Sequence, residues 1–430
     1  MSASVILTDE FKDALSLLES KPAFKPLIFI TGRAGTGKTT LLKYFAQKTA
    51  QNVVVLATTG LAAINVHGQT VHSFFRLKPG NLLDLGTLRR LPRKTVESFD
   101  TLIIDEASML RADLLDAIDH ILQISTHVDE PFGGKQVILF GDLFQLPPVE
   151  ESEQSGLFNY FNERYKSPYF FEANVLSRLP LEVFELKRIF RQSADREYAK
   201  LLNSIREGKI SQAELDSQLN KHVTQETPDM VERNILLATT NPSALLRNRN
   251  QLDKLPGTEY IYPATADETF TKTPPADKEL HLKKGAKIMM LINDDNWVNG
   301  DIGTVHDLGP DFIQVELKGA IYDVKPHVWE DMVYEFNPLT QKLQPKVKGF
   351  FKQYPLKLAW AITIHKSQGL TFDNIYLDMG RGAFATGQTY VALSRCRTLS
   401  GVHLKRPILT SDVQCDSRVQ QFFEYVKGAR

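Results

Sequence analysis

The run Gly32-Arg33-Ala34-Gly35-Thr36-Gly37-Lys38-Thr39 constrains this chain more than any other stretch, because of what flanks it. Leu27-Ile28-Phe29-Ile30 precedes it and Thr40-Leu41-Leu42-Lys43-Tyr44-Phe45 follows. The first suits a strand buried on both faces, the second a helix. Strand, glycine turn, helix is the order a phosphate cradle needs. The glycines let backbone N–H groups crowd around phosphate oxygens, and the helix N-terminus adds a favourable field. On this reading Gly32, Ala34, Gly35, Thr36, Gly37, Lys38, Thr39 and Thr40 hold a nucleotide. Lys38 reaches the β and γ phosphates and Thr39 ligates Mg²⁺. The bland alternative, a glycine-rich turn containing Lys-Thr, leaves the flanking strand and helix unexplained.

Further apolar runs at 53–56, 102–104 and 137–140 alternate with helical or loop material. That alternation predicts a parallel sheet with helices on both faces, in a first α/β domain over residues 1–180. Each run ends in a polar motif, where open α/β sheets place their ligands. Asp105-Glu106 supplies a carboxylate for Mg²⁺ and a neighbour to orient or deprotonate an attacking water. Vicinal acids in a strand point to opposite faces and so take different roles. Gln145, in the segment from Gly141 to Val149, is a neutral side chain able to sense a γ-phosphate or its water. A solvated strand end and a Pro-stopped turn are the plain alternatives for these two motifs.

A second α/β domain is expected over residues 181–285 and 355–430, with strands at 234–239 and 375–377. Short strand-like pieces divided by turns at 293–296, 309–311 and Asn337-Pro338 predict a small β-barrel inserted over 286–354. Arg191 and Arg395 are candidates to complete the nucleotide site from across a cleft, stabilising charge on the transferring group. A length of 430 residues is enough for two or three such units. No apolar run is long enough to cross a bilayer, the amino terminus does not read as a leader, and an intracellular, cytoplasmic protein is expected. The two cysteines, Cys396 and Cys415, are too few for a structural zinc site and are expected to be buried thiols.

Lys plus Arg equal Asp plus Glu, 51 against 51, so only local charge can point to a polyanion. Residues 342–372 contain no acid, while Lys342, Lys346, Lys348, Lys352, Lys357 and Lys366 are interleaved with Phe350, Phe351, Tyr354 and Trp360. Ammonium groups for phosphates and aromatic faces for unstacked bases suit a single strand, although Trp360 reads as core. Residues 380–411 are also acid-free.

Taken in order, the cradle, Asp105-Glu106-Ala107-Ser108-Met109, the segment from Gly141 to Val149, Ile189-Phe190-Arg191-Gln192, the stretch from Tyr354 to Gly369, and Tyr390-Val391-Ala392-Leu393-Ser394-Arg395-Cys396-Arg397 resemble the helicase motifs of the Pif (petite integration frequency) family. The resemblance runs from about Leu27 to Arg397 and implies a compact bacterial form of a superfamily-one, 5′-to-3′ DNA helicase. It implies two RecA-like domains with ATP between them and an SH3-like insertion in the second. Lys38, Glu106, Gln145, Arg191 and Arg395 would be catalytic, with Gln368 and Gly369 near the nucleotide. Thr58, Thr59, Gly60, Gly68, Thr70, His72, Phe74, Asn241, His365, Lys366 and Ser367 would meet nucleic acid, with a small wedge near 64–80. Single-stranded, forked and G-quadruplex DNA are the implied substrates, in replication, repair, recombination or telomere-like maintenance, for a protein monomeric in solution and associated with the nucleoid. One departure is Phe11, which stands where the family usually carries a Gln that reads adenine. The competing readings are a P-loop NTPase that remodels proteins without DNA, and a nucleic-acid-binding module with a vestigial ATP site.

Overall fold

A computed structural model describes residues 7–20, 25–77, 82, 84–148, 161–270, 274–337 and 342–428. Val149, positions 78–80 of the expected wedge and Pro338 therefore lie outside the described residues. The chain divides into two bodies. The first gathers the residues up to Arg191 with 332–347 and those from Asp416 onward; the second holds 192–331 and 348–415.

In the first body β1 (Leu27–Gly32), β2 (Val53–Ala57), β3 (Gln69–Thr70), β4 (Thr101–Asp105), β5 (Gln136–Gly141) and β6 (Leu181–Leu186) form one sheet ordered β3-β2-β4-β5-β1-β6. All its pairings are parallel, as the alternation predicts. β1, β4 and β5 are buried along their whole length, which is why they read as continuous apolar runs. Helices α1 (Asp9–Glu19) and α2 (Lys38–Lys48) lay Phe11, Ala14, Leu18, Leu41, Leu42 and Phe45 against Ile28, Ile30, Ile138 and Phe140. Phe29, alternating to the other face, packs edge-on against Phe170 at 5.0 Å.

Two expected boundaries move. The first domain does not stop at 180, because β6 pairs with β1 along its full length and closes the sheet edge. The carboxyl-terminal helix, Ser417–Gly428, belongs to the first body and not to the second domain with which it was expected. Phe423 stacks on Phe144 at 5.2 Å and Phe422 on Phe171 at 4.5 Å. Aromatic burial of this kind is worth about 0.5–1.5 kcal/mol per pair beyond area.

The second body has a four-stranded parallel sheet ordered Ala361–Thr363, Ile235–Ala238, Ile375–Asp378, Val402–Leu404. Between its first two chain segments lies a β-rich insertion. Five antiparallel strands are ordered Ala320–Val324, Phe312–Leu317, Ile302–Gly309, Lys287–Met290, Leu356–Leu358. Tyr260–Pro263 pairs with Glu279–Leu282, so the inserted strands begin earlier than residue 286 and end later than 354. Their core contains Trp297, Tyr354, Leu356 and, as expected, Trp360. Lys287 anchors this core: its ammonium donates to the carbonyls of Val231 at 3.1 Å, Asn234 at 2.7 Å and Glu232. Phe351 and Tyr354 are buried, so these two do not offer faces to a strand; the lysines of the basic run that are exposed among the described residues are Lys346, Lys348, Lys352 and Lys366. Cys396 is buried and Cys415 only partly so. No helix among the described residues is long and apolar enough to cross a membrane.

Candidate nucleotide site and nucleic-acid surfaces

β1 ends in Gly32 at φ 153°, and a Cβ there would lie 2.5 Å from the Leu186 carbonyl oxygen and 2.8 Å from Thr36 Oγ1. Only glycine fits. Gly37, at φ 85°, is left-handed just before α2, and a Cβ would meet the Phe11 ring at 2.9 Å. Within the loop Thr36 Oγ1 donates to the Arg33 carbonyl at 2.9 Å. Lys38 Nζ donates to the carbonyls of Gly32 at 2.7 Å and Arg33 at 3.0 Å. The ammonium is thus folded over the loop that it would share with a phosphate.

Asp105 ends β4 and is 5 % exposed. Burial first, and the neighbouring Glu106 second, push its carboxyl up to about 7, against the opposing pull of the Glu106 N–H, Lys38 and Lys43. A desolvated carboxyl beside two ammoniums, with one oxygen receiving the Glu106 N–H at 2.9 Å, fits a divalent cation that would keep it ionised. Thr39, at the start of α2, is the hydroxyl donor from the cradle side. Glu106 adopts φ 55°, ψ 46°, a left-handed conformation costly for a non-glycine residue, and its carbonyl accepts from Thr58 Oγ1 at 3.0 Å. The strand therefore ends at Asp105, and Glu106 stands outside it rather than on its opposite face as expected. Gly141 at the end of β5 sits against the backbone of Ala107 and Ser108, where a Cβ would come within 3.0 Å of Ala107 N. The turn that follows fixes Gln145 through its N–H to the Asp142 carbonyl at 2.9 Å.

Arg191 is half-buried in the first body, not the second, and the chain just before it is tied to the cradle: the Phe190 N–H donates to the Gly35 carbonyl at 2.9 Å. Phe11 is 2 % exposed and meets Phe190 edge-on at 6.1 Å, so it walls the back of the loop and has no free face for a base. The Glu10 carboxylate accepts the N–H groups of Lys187 and Arg188, fastening α1 to the same segment.

In the second body Arg395 is 2 % exposed, with Nε donating to the Val391 carbonyl at 2.9 Å and a terminal nitrogen to Ser394 Oγ at 2.7 Å. Sequence reasoning missed how this turn is held. Gln192 Nε2 donates to the carbonyls of Ser394 and Cys396, and Tyr198 Oη to the Leu393 carbonyl at 2.6 Å. Gln368 follows the turn His365–Ser367, and Gly369 at φ 82° lets the chain leave it.

The expected nucleic-acid residues separate into surface and support. Thr59 caps the short helix Gly60–Asn65 and Thr70 the turn Val71–Phe74 through their hydroxyls. Gly60 has open space beside it and His72 is half-buried, its imidazole pKa lowered mainly by burial. Gly68 is corrected: it is buried because a Cβ would lie 2.3 Å from the Val55 carbonyl oxygen. Phe74, 6 % exposed, packs on Phe75, Phe99 and Tyr334 and is not a stacking face. Tyr334 also covers the sheet edge, its hydroxyl accepting the Val55 N–H at 3.2 Å. Ser367 is fully buried and its hydroxyl donates to the Ile364 carbonyl at 2.7 Å, so it supports the turn that exposes His365 and Lys366. Asn241 and Lys366, far apart in sequence, meet in a pocket of about 390 Å³ with Asn248, Lys357 and Thr363. The Lys357 ammonium there is held down at about 8, by burial first and Lys366 second.

A family model described as PIF1-like helicase matches residues 7–216. The ATP-dependent DNA helicase Pif1 of Bdellovibrio bacteriovorus is 30% identical, over 98% of this chain and 92% of that relative. The ATP-dependent DNA helicase PIF1 of Mus musculus is 33% identical over 94% of this chain, which spans only 61% of the mouse protein's length. Among solved structures, Pif1 of Bacteroides sp in complex with ADP-AlF4 superposes with a TM-score of 0.88 at 34% identity, covering 99% of this chain and 98% of that one.

Proposed function

We propose, for a chain that belongs to the PIF1-like helicase family, an ATP-dependent DNA helicase whose hydrolysis of ATP drives movement along single-stranded DNA, 5′ to 3′, and separation of forked duplex. The observation that carries the chemical half of this reading is buried Asp105 beside Lys38 at the mouth of the cradle. The nucleic-acid half is supported by relatives that are named DNA helicases and by the exposed cluster of Asn241, His365 and Lys366. The RecA-like bodies carry ATP chemistry, and the β-rich insertion takes an SH3-like role in the second.

ATP enters with its phosphates against the N–H groups of Gly35, Thr36, Gly37 and Lys38. Lys38 exchanges the Gly32 and Arg33 carbonyls for β and γ oxygens. Thr39 and Asp105 would hold Mg²⁺, which when bound would screen the charge that spreads over the transferring group. Glu106, in the left-handed turn that ends β4 just after Asp105, accepts the proton of the attacking water while Gln145 orients it. Arg191 and Arg395 are the guanidinium candidates for stabilising the charge that develops on the γ-phosphate. Cycling between nucleotide states moves a strand only if the two states grip it with different affinity. The proposed partners are single-stranded and forked DNA, for a protein that is a monomer in solution and works in the bacterial cytoplasm.

Substituting Lys38→Ala should abolish ATP turnover while leaving salt-sensitive binding to single-stranded DNA within about threefold of the parent, since no phosphate contact on DNA is removed. Equal turnover in variant and parent would refute the assignment. ATP turnover by the parent that ignores added single-stranded DNA would favour a protein-remodelling NTPase.

A further inference from the structure

Phe384 is 61 % exposed, and its ring lies nearly parallel to that of His365, with an interplanar angle of 16° and centroids 6.0 Å apart. His365 is itself exposed, so the two rings form an open aromatic step on the second body. A large apolar ring left in water forgoes about 1.5–3 kcal/mol of burial, which makes its rigid presentation informative. The loop does not let it fold back. The Phe384 N–H donates to Gln388 Oε1 at 3.1 Å, and Gln388 is fully buried. Next to it the Ala383 N–H donates to Asp412 Oδ1 at 3.3 Å and its carbonyl accepts from Gln414 Nε2 at 2.9 Å. Asp412 in turn is held by Arg406 at 2.7 Å, and the Gly387 N–H by the Gln414 carbonyl at 2.9 Å. The His365 side is equally fixed, by Ser367 Oγ on the Ile364 carbonyl and by the Lys366 N–H on Thr363 Oγ1.

Charge around the step selects the occupant. Lys366 follows His365 directly and opens, with Asn241 and Thr363, onto the 390 Å³ pocket, whose lining also holds the cations Arg249 and Lys357 and the acids Asp277 and Glu279. The Phe384 loop lies in the stretch 380–411, which has no Asp or Glu. A flat aromatic surface flanked by an exposed ammonium matches a nucleobase carrying its phosphate, because stacking takes any base and the cation takes the backbone. We infer that Phe384, with His365, is a base-stacking platform for one unstacked nucleotide of bound single-stranded DNA. This rests on the proposed function and names one of its contacts. Because the loop is already fixed, stacking orders the base alone and little of the protein.

The test uses the full chain, with a fluorescein-labelled oligothymidine strand and a matched strand made of abasic sites, read by anisotropy across a salt series. Phe384→Ala should bind oligothymidine about tenfold more weakly, within the range for one lost base–aromatic stack, and bind the abasic strand as the parent does. Its salt dependence should stay that of the parent, because no phosphate contact is lost. Phe384→Trp should bind oligothymidine at least as tightly as the parent. Lys366→Ala, in contrast, should weaken both strands and lower the salt slope by about one phosphate. Equal losses on both strands, as misfolding would give, or no loss on either, would overturn the platform. If the parent itself fails to bind oligothymidine, it is the proposed function that falls, so the two failures are distinct.

Discussion

Asp105→Asn removes the charge that the first body buries at the end of β4, and keeps an oxygen to receive the Glu106 N–H. The carboxyl stands at about 7 in the folded chain, against about 3.9 when unfolded. Each unit is worth about 1.4 kcal/mol, so ionised Asp105 costs the nucleotide-free fold up to about 4 kcal/mol at pH 8, and about 1–3 kcal/mol once local relaxation is allowed. The sign follows from a folded pKa above the unfolded one: the fold is favoured below the unfolded value and loses that advantage as pH rises through about 7. The Asn variant should therefore be more stable than the parent at pH 8. The gap should shrink to about a third at pH 5 and vanish below about pH 4, where both forms of the parent are neutral. Tryptophan fluorescence cannot read this, since Trp297, Trp329 and Trp360 all lie in the second body. Urea titrations followed by hydrogen exchange of the β4 peptide can. The same variant should lose ATP turnover, because an amide cannot hold Mg²⁺ as a carboxylate does. A variant less stable than the parent at pH 8, or a gap that ignores pH, would refute the reasoning.

Two further substitutions test the packing. Lys287→Met leaves the carbonyls of Val231, Glu232 and Asn234 without their donor and should cost about 2–4 kcal/mol, read as a lower urea midpoint of tryptophan fluorescence; a change under about 1 kcal/mol would contradict the anchoring role. Gly68→Ala drives a methyl into the Val55 carbonyl and should cost roughly 2 kcal/mol or more in hydrogen-exchange protection of β2, whereas Gly60→Ala, facing open space, should be tolerated. Equal protection in both variants would return Gly68 to the surface.

The cradle was legible because its requirements are local. Gly32 and Gly37 are demanded by close approach and left-handed backbone within a few residues, and the sequence shows both glycines beside the lysine they serve. The parallel sheet was legible for the same reason, since strands buried on both faces spell their burial in consecutive apolar residues. What escaped were pairings over long separations. β6 is buried only at Val183 and Leu186, so it does not spell out a continuous apolar run, and nothing near Leu181 says that its partner is β1. The return of the carboxyl-terminal helix depends on Phe144 and Phe171 meeting Phe423 and Phe422. Exposure is equally non-local: Phe74, Phe351 and Tyr354, expected to face nucleic acid, are buried, whereas Phe384, which no motif singles out, is exposed, according to what packs over them from distant segments. Ser367 and Gly68 sit inside motifs that suggest contact, and the structure spends them on holding up their neighbours.

Coupling between ATP turnover and a single strand is the claim on which the account rests, and it is measured most directly on matched duplexes bearing a 5′ tail, a 3′ tail or none. With ATP, the parent should separate the 5′-tailed duplex and hydrolyse ATP faster in its presence, and Lys38→Ala should do neither. Turnover that is the same with and without DNA, joined to no strand separation on any of the three substrates, would contradict it.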